Sequence, residues 1–297
     1  MGEIFKRERA PSSLNFSGER FTDETQGQIE IEHLHRYFIA RHYCRDKDVL
    51  DIASGEGYGS AYLAQVARSV VGFEIDADAV AHASQSYNYA NLRFNVGDAR
   101  KINLPSSSVD VVVSFETLEH FYEQEKFLRE VARVLRPGGL LVISTPEQEV
   151  YSTAFSPANP YHVRELSGKQ FSEMLAKFFP WVEICRQRPL TGSLVLPDNP
   201  LLARTVELFH ERRGKEHFEV HHELARPLYL IGFASSVPQP LPTVSVYAES
   251  SAENLELKLE LAAMKSELVA LRRSTSWRIT APLRRAVRWL QRGSSKG

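Results

Sequence analysis

The fold is decided by the stretch Val49-Leu-Asp-Ile-Ala-Ser-Gly-Glu-Gly-Tyr-Gly-Ser60. Its first residues are apolar and indicate a short strand, and residues 61–67 have the pattern of a helix. Between them, Gly55, Gly57 and Gly59 remove Cβ atoms where the backbone turns sharply and where a ligand can lie against it. A strand, a glycine loop and a helix in this order predict a nucleotide-type site at the carboxyl edge of a parallel sheet. For this stretch alone, a glycine turn that binds nothing is the alternative.

The rest of the chain alternates strand patterns with helix patterns. Besides the strand that begins at Val49, strands are predicted at residues 69–76, 92–96, 109–115, 140–144, 181–185 and 228–234. Helices are predicted at 29–43, 77–87, 116–135 and 167–179. A capping box of Ser167 and Gln170 begins the last helix, and Arg136-Pro-Gly-Gly139 ends the third with a turn. This alternation predicts an α/β fold with a doubly wound parallel sheet, and the long segment at about 188–227 predicts a helical insert over the site.

Acidic residues stand at the ends of two of these strands. Glu74 lies about 20 residues beyond the glycine loop, where an acidic side chain can accept hydrogen bonds from both ribose hydroxyls. Asp98 ends the third strand and is suited to hold an adenine amino group. Both residues therefore belong to the predicted nucleotide-type site.

Five motifs in order carry a resemblance to a known family. The set Asp51-x-x-x-Gly55-x-Gly57, Glu74, Asp98-Ala99, Phe115-Glu-Thr-Leu-Glu-His120 and Leu135-Arg-Pro-Gly-Gly139 closely resembles class I S-adenosylmethionine-dependent methyltransferases. The match covers about residues 30–235. It implies a seven-stranded Rossmann-like sheet with order 3-2-1-4-5-7-6, in which strand 7 is antiparallel.

The resemblance also implies S-adenosyl-L-methionine as the cofactor. The residues that it implies for binding are Asp51, Ala53, Ser54, Gly55, Gly57, Glu74, Ile75, Asp98, Ala99, Phe115 and Glu116. Within that set, the loop 53–57 would hold the methionine part, Glu74 the ribose and Asp98 the adenine. The sequence departs from many members at Ala53, where they have glycine. A nicotinamide dinucleotide is the rival cofactor, but its G-x-G-x-x-G fingerprint requires glycine where Ser60 stands.

Methyl transfer to a hydroxyl requires a general base beside the acceptor, and two histidines are candidates. His120 follows the fourth strand and His162 the fifth, and imidazole can take up a proton near neutral pH. A structural helix residue and a loop hydrogen bond are the respective alternatives. Candidate acceptor-binding residues are Arg20, Tyr161 and Arg164. The two arginines suit an anionic acceptor, since guanidinium pairs bidentately with phosphate or carboxylate, and a solvated surface position is their alternative. The sequence has no Cys/His cluster of the kind that binds a structural zinc, so we predict no metal site. A magnesium ion bound by carboxylates is the alternative.

The C-terminal segments differ from the domain. We divide the chain into a lead-in at 1–28, the methyltransferase domain at 29–235, a linker at 236–251, a short coiled coil at 252–275 and a basic amphipathic tail at 276–297. The coil shows apolar residues at heptad spacing, at Leu257, Leu261, Met264, Leu268, Leu271 and Thr275. It predicts self-association or a partner in polysaccharide assembly, and a helix docked on its own domain is the alternative. The basic tail with Trp277 and Trp289 favours an anionic membrane surface over nucleic acid, and a disordered solubilising tail is its alternative.

Two short resemblances concern the acceptor. Ser274-Thr-Ser-Trp-Arg-Ile-Thr-Ala-Pro-Leu-Arg284 resembles a terminal motif of bacterial enzymes that build surface polysaccharides. Asn159-Pro-Tyr-His-Val-Arg-Glu165 resembles methyltransferases of lipopolysaccharide and O-antigen clusters. Together they imply methylation of a sugar hydroxyl or terminal sugar phosphate of a bacterial surface glycan. The alternatives are a lipid or quinone O-methyltransferase and a scaffold that recruits polysaccharide enzymes.

The composition is ordinary for a soluble protein. The 297 residues are 43% hydrophobic and 25% charged, with a formal net charge of −1. Cys44 and Cys185 are far apart and indicate reduced thiols. The N-terminus has no continuous apolar segment, so we expect no signal peptide, and because no apolar run reaches about 18 residues we expect no membrane-spanning segment. We therefore expect a cytoplasmic protein that associates peripherally with the inner membrane.

Overall fold

The structure, a computed structural model, describes residues 28–154, 159, 161–190, 209–213, 217–221, 224–241, 245–247 and 264. The chain divides into two compact units, Met1–Val246 and Tyr247–Gly297. Of the second unit only Tyr247 and Met264 are described, and Met264 is helical and exposed. The predicted lead-in up to residue 27, the basic tail and the rest of the predicted coil lie outside the described residues. Within the described residues, no helix has the length and apolar character needed to cross a bilayer.

The first unit is built around a seven-stranded sheet and also contains a two-stranded sheet. Strands β1 to β6 cover Asp48–Ile52, Ser69–Glu74, Leu92–Val96, Val109–Ser114, Leu135–Pro146 and Trp181–Gln187. Strands β7, β8 and β9 cover Phe209–Arg213, His217–His221 and Tyr229–Ser235. The sheet has the order β3-β2-β1-β4-β5-β9-β6, and β9 is antiparallel to both of its neighbours. The predicted order is confirmed, because β9 is the seventh strand of this sheet.

Helices cover both faces of the sheet. Helices α1 to α6 cover Gln28–Cys44, Tyr58–Ala64, Ala77–Ser86, Gln124–Val134, Gln148–Ala154 and Gly168–Ala176, and a 3₁₀ turn covers Leu118–His120. Side chains of β4 alternate between two hydrophobic clusters: Val112 belongs to the cluster of Phe127 and Phe171, and Val111 to that of Tyr37. Both faces of the sheet are therefore closed, and its carboxyl edge is the place left for a site.

The start of the predicted helix at 116–135 is wrong. Glu116 has a φ of +50°, which an α-helix does not allow, and the 3₁₀ turn follows it before α4 begins at Gln124. The predicted capping box is confirmed, since the Ser167 hydroxyl accepts from Gln170 N and the Gln170 side chain accepts from Ser167 N. The motif at 136–139 loops out inside β5, because Leu135 pairs with Val109 and Leu140 with Val111.

The prediction of a helical insert at 188–227 is wrong for its described residues. Strands β7 and β8 pair as an antiparallel two-stranded sheet, in which His210 pairs with Val220. Of the two runs, 217–221 alternates between polar and apolar residues as a strand does, whereas 209–213 has one apolar residue followed by four polar ones. The length of the segment alone therefore did not predict these two strands.

Candidate active site

The glycine loop leaves β1 between two neighbouring strands. Ile52, the last residue of β1, pairs with Phe73 of β2 and with Ser114 of β4. Ala53, Gly55 and Gly57 then take φ angles of +59°, +54° and +86°. These three left-handed residues reverse the direction of the chain, and α2 begins directly after them at Tyr58. The predicted tight loop is present at the carboxyl edge of the sheet.

A side chain at Gly57 would be unfavourable both for lack of space and for its backbone angle. A Cβ at this position would lie 2.6 Å from Cζ of Phe94 and 2.8 Å from Cβ of Ala83. Both contacts are shorter than carbon atoms tolerate. The absence of a side chain therefore lets the loop press against α3 and β3.

Glu74 ties this loop to the end of β2. Its Oε2 accepts a hydrogen bond from Gly55 N at 3.0 Å, and its Oε1 accepts from Ile75 N at 3.0 Å and Asp76 N at 3.1 Å. The predicted ribose-binding carboxylate is thus buried and fixed by three backbone amides. The adjoining Ile75 side chain is 67% exposed, which leaves an apolar surface beside the carboxylate.

Asp51 lies beneath the loop. Its Oδ2 accepts a 2.6 Å hydrogen bond from the Ser60 hydroxyl, and both of its oxygens lie 3.3 Å from the Tyr37 hydroxyl that donates to them. Burial raises the pKa of this carboxyl to about 7, against the hydrogen bonds from Ser60 and Tyr37. The contacts described for Asp51 position the start of α2, so its predicted cofactor role is indirect in this geometry.

At the end of β3, the Asp98 carboxylate is held by an arginine that the sequence analysis did not single out. Arg100 donates from its backbone N and its Nη2, both at 2.8 Å, and a second ion pair joins Arg100 to Glu123. The guanidinium beside Asp98 holds the pKa of that carboxyl below its usual value. Asp98 is therefore charged and oriented near Ala99, which is buried.

Beyond β4, Glu116 meets a buried arginine that the sequence analysis also missed. Ser144 donates to Glu116 Oε1 at 2.6 Å, and Arg36 Nη1 forms an ion pair with the same oxygen at 3.2 Å. Arg36 Nε donates to Gln187 at 2.7 Å, and its guanidinium carbon lies 4.3 Å from the centroid of the Tyr229 ring. One arginine of α1 therefore joins the ends of β4, β6 and β9. The buried Phe115 precedes Glu116 and packs edge-on against a tyrosine of α1.

These groups fit the cofactor that the motifs imply. The loop offers a surface without Cβ atoms at Gly55 and Gly57, and carboxylates stand at the ends of β2 and β3. The Ser54 hydroxyl is buried, and within the described residues it has no hydrogen-bond partner. Because a buried hydroxyl without a partner is costly, it favours a polar group bound at this loop. The exposed Ile75 suits the face of an adenine ring.

The two predicted catalytic histidines lie side by side. The rings of His120 and His162 are 5.2 Å apart and nearly perpendicular. His120 Nδ1 lies 3.1 Å from the carbonyl oxygen of Tyr161, and His162 Nδ1 lies 2.7 Å from Glu165 Oε1. Residues from the segments after β4 and after β5 thus meet in one cluster, as their positions predicted.

Glu119 is the third member of this cluster. It belongs to the motif at 115–120, but the sequence assigned it no catalytic or binding role. The residue is fully buried; its Oε2 accepts from the Thr145 hydroxyl at 3.2 Å, and its Oε1 lies 4.0 Å from His120 Nε2. Its backbone carbonyl accepts from Val163 N and Arg164 N, so the two segments are joined. Burial, followed by the nearby Glu116, raises the pKa of Glu119 well above its usual value.

The structure describes two of the three predicted acceptor-binding residues, and both are exposed. The Tyr161 side chain is 51% exposed and Arg164 is exposed, next to the histidine cluster in sequence. Arg20 lies outside the described residues. Binding of an acceptor by these three residues stays a prediction.

Known proteins resemble this chain in sequence. Residues 50–143 match the family model of a methyltransferase domain. A "Probable S-adenosylmethionine-dependent methyltransferase" of Mycolicibacterium smegmatis is 39% identical over 168 residues, which cover 56% of this chain and 65% of the relative. The fatty-acid O-methyltransferase of the same organism is 34% identical over 119 residues, 37% of this chain and 43% of the relative. The chain spans less than two thirds of the length of both relatives.

A solved structure shows the same fold. A chain from the Haloferax volcanii complex of the Trm112 methyltransferase activator with a methyltransferase aligns with a TM-score of 0.50 at 18% identity. The alignment covers 70% of this chain and 92% of that one. Residues 50–143 thus match a methyltransferase domain, the sheet has the order that the motifs imply, and this similarity and the fold imply S-adenosylmethionine as the cofactor.

Proposed function

We propose that this chain is an enzyme that transfers the methyl group of S-adenosylmethionine to a hydroxyl oxygen of a bacterial surface glycan. The observation that carries the proposal is the cluster of Glu119, His120 and His162 at the carboxyl edge of the sheet, beyond β4 and β5. The cofactor loop leaves β1, which is the neighbour of β4. An acceptor held at the cluster would therefore face the methyl donor.

The cluster suits an acceptor that must lose a proton. When bound, S-adenosylmethionine supplies an electrophilic methyl group, so the protein has to align the acceptor and remove its proton. His120 Nδ1 donates to the Tyr161 carbonyl, since a carbonyl oxygen can only accept. The lone pair of the neutral ring is then on Nε2, which can take the hydroxyl proton.

His162 fixes the geometry around His120. Its ring stacks on Tyr151 at 5.4 Å between centroids, and its Nδ1 is held by Glu165 at 2.7 Å. A ring held on two sides keeps one orientation. We assign His120 as the base, with His162 beside it as a second group that binds the acceptor hydroxyl.

The glycan acceptor is supported by the short resemblances at 159–165 and 274–284. The basic tail at 276–297 supports a place at the inner membrane surface, where lipid-linked glycans are assembled. We include in this proposal peripheral membrane association, and self-association or a polysaccharide-assembly partner through 252–275. The tail and most of the predicted coil are outside the described residues.

A lipid acceptor is the second candidate, and one observation favours it. The relative named fatty-acid O-methyltransferase shares 34% identity with this chain. A carboxylate acceptor is already deprotonated at neutral pH, so it would leave the paired histidines without a proton to remove. A lipid acceptor that is methylated on a hydroxyl would still require removal of a proton, so it would still use the two histidines.

One labelling experiment separates these acceptors. Purified protein is incubated with methyl-labelled S-adenosylmethionine and an envelope extract, which is then divided into glycan, fatty-acid and quinone fractions. We expect label in the glycan, and a His120→Ala variant should lose most of the rate while it still binds the cofactor. Label confined to fatty acids or quinones would replace the glycan assignment, and an unchanged rate in the variant would refute the base.

A further inference from the structure

Three donor groups meet at the acceptor side of the site. Glu119, His120 and His162 each offer one ligand atom, and these atoms all lie within 4.8 Å of one another. His120 Nε2 is 4.0 Å from Glu119 Oε1. Two imidazole nitrogens and one carboxylate oxygen form a donor set that proteins use for zinc and related divalent cations. The sequence alone predicts no metal site, since its donors come from two separate segments.

The outer contacts of both histidines match those of metal ligands. A histidine that binds a metal usually donates its other ring N–H to a carboxylate or a backbone carbonyl, which fixes the tautomer. His120 Nδ1 makes this contact with the Tyr161 carbonyl at 3.1 Å. His162 Nδ1 makes it with the Glu165 carboxylate at 2.7 Å. Both rings are therefore oriented by partners of the kind that support metal ligands.

Glu119 supplies an independent observation. The residue has no exposed surface, and its Oε1 has no hydrogen-bond partner among the residues that the structure describes. A buried carboxylate oxygen without a partner is costly, and most such atoms in folded proteins are paired. A cation between Oε1 and the two rings would satisfy it.

We propose that Glu119, His120 and His162 bind a divalent cation of the zinc type. Ligand bonds of about 2.0–2.1 Å would place tetrahedral donors about 3.3 Å apart, so the side chains must close in by about 1 Å. Three protein ligands leave one coordination position open, as in catalytic zinc sites.

The role of the cation rests on the proposed function, whereas its binding does not. A hydroxyl at the open position becomes more acidic, and its proton passes to solvent water. The oxygen–carbon bond then forms as the carbon–sulfur bond of the cofactor breaks. In this form of the enzyme the cation replaces His120 in activating the acceptor.

Calorimetry with zinc alone tests the site. The full-length protein is freed of metal by a chelator and titrated with ZnCl₂, with S-adenosylhomocysteine titrated in parallel. We expect one equivalent of zinc, and at least a tenfold weaker affinity in His120→Ala and in the isosteric Glu119→Gln variant. His42→Ala removes an exposed histidine of α1 and should leave the affinity unchanged.

The parallel titration separates failure of this site from failure of the fold. A protein that takes up S-adenosylhomocysteine but no zinc would overturn the metal site and leave methyl transfer standing. Equal zinc affinity in the wild type, His120→Ala and Glu119→Gln would place the ion elsewhere and would also overturn it. Loss of zinc in both variants with S-adenosylhomocysteine binding retained would support it.

Discussion

At the scale of single residues, two glycines with similar backbone angles differ in their surroundings. Gly57 and Gly138 have φ angles of +86° and +78°. A Cβ on Gly57 would meet Phe94 at 2.6 Å, whereas the nearest atom to a Cβ on Gly138 is in Val237, at 3.8 Å. The pair therefore separates the cost of the left-handed backbone from the cost of lost space.

Gly138→Ala should lose about 1–2 kcal/mol of the free energy of unfolding, because only the backbone angle is penalised. Gly57→Ala should lose more than that and should also lose at least tenfold in S-adenosylhomocysteine affinity. Chemical denaturation and calorimetry measure the two quantities. Equal stabilities and an unchanged affinity in the two variants would contradict the role assigned to the loop.

Asp51 makes stability depend on pH in a defined direction. Its pKa is about 7 in the folded protein and near 3.8 in an unfolded chain, so between these values only the folded state keeps the proton. The free energy of unfolding should then fall as pH rises from about 4 to 7, by at most about 1.4 kcal/mol per unit from this group.

Asp51→Asn should remove this contribution, because the amide does not titrate and can still accept from Ser60. Denaturation of both proteins at pH 5 and pH 7 measures the effect. The wild type should lose stability relative to the variant over this interval. Parallel stability curves would show that the carboxyl is not protonated in the fold.

At the scale of elements, the sequence predicts those whose pattern is local. The apolar runs of β1 to β4 and the capping box at Ser167 depend on neighbours a few positions away, and the structure has them. The helix start at Glu116 could not be found in this way. Its positive φ coincides with hydrogen bonds to Ser144, 28 positions along the chain.

The site shows the same division. Glu74 lies at the end of β2, and His120 and His162 follow predicted strands, so the topology brings them to one edge. Arg36 of α1 reaches that edge through its contacts with Glu116 and with Gln187 of β6. No spacing in the sequence predicts these contacts. The ends of predicted strands locate the site, but residues that reach it from other elements, such as Arg36, are identified only in the three-dimensional structure.

Helix α6 should respond to its cap in stability alone. Ser167→Ala removes the hydroxyl that accepts from Gln170 N and should cost about 1 kcal/mol in the free energy of unfolding. S-adenosylhomocysteine affinity should not change, because α6 packs against β6 and β9, which β4 and β5 separate from β1 in the sheet. Lys169→Ala, an exposed change in the same helix, is the matched control and should shift stability by less than about 0.5 kcal/mol. Equal losses in both variants would contradict the cap.

At the scale of the whole molecule, cofactor binding and membrane association should be separable. After Glu267 the chain has no acidic residue, while arginine and lysine recur up to Lys296. Truncation after Ser251 should leave S-adenosylhomocysteine binding intact and abolish sedimentation with anionic phospholipid vesicles. Vesicles of neutral lipid are the control. A truncated protein that sediments like the full chain would assign membrane binding to the first unit.

The account depends most directly on cofactor binding at the loop that Glu74 holds. Calorimetry with S-adenosylhomocysteine should show one site in the wild type and at least a tenfold weaker affinity in Glu74→Ala, since three backbone amides lose their acceptor. Folded wild-type protein that releases no heat, or binds no better than the variant, would contradict it.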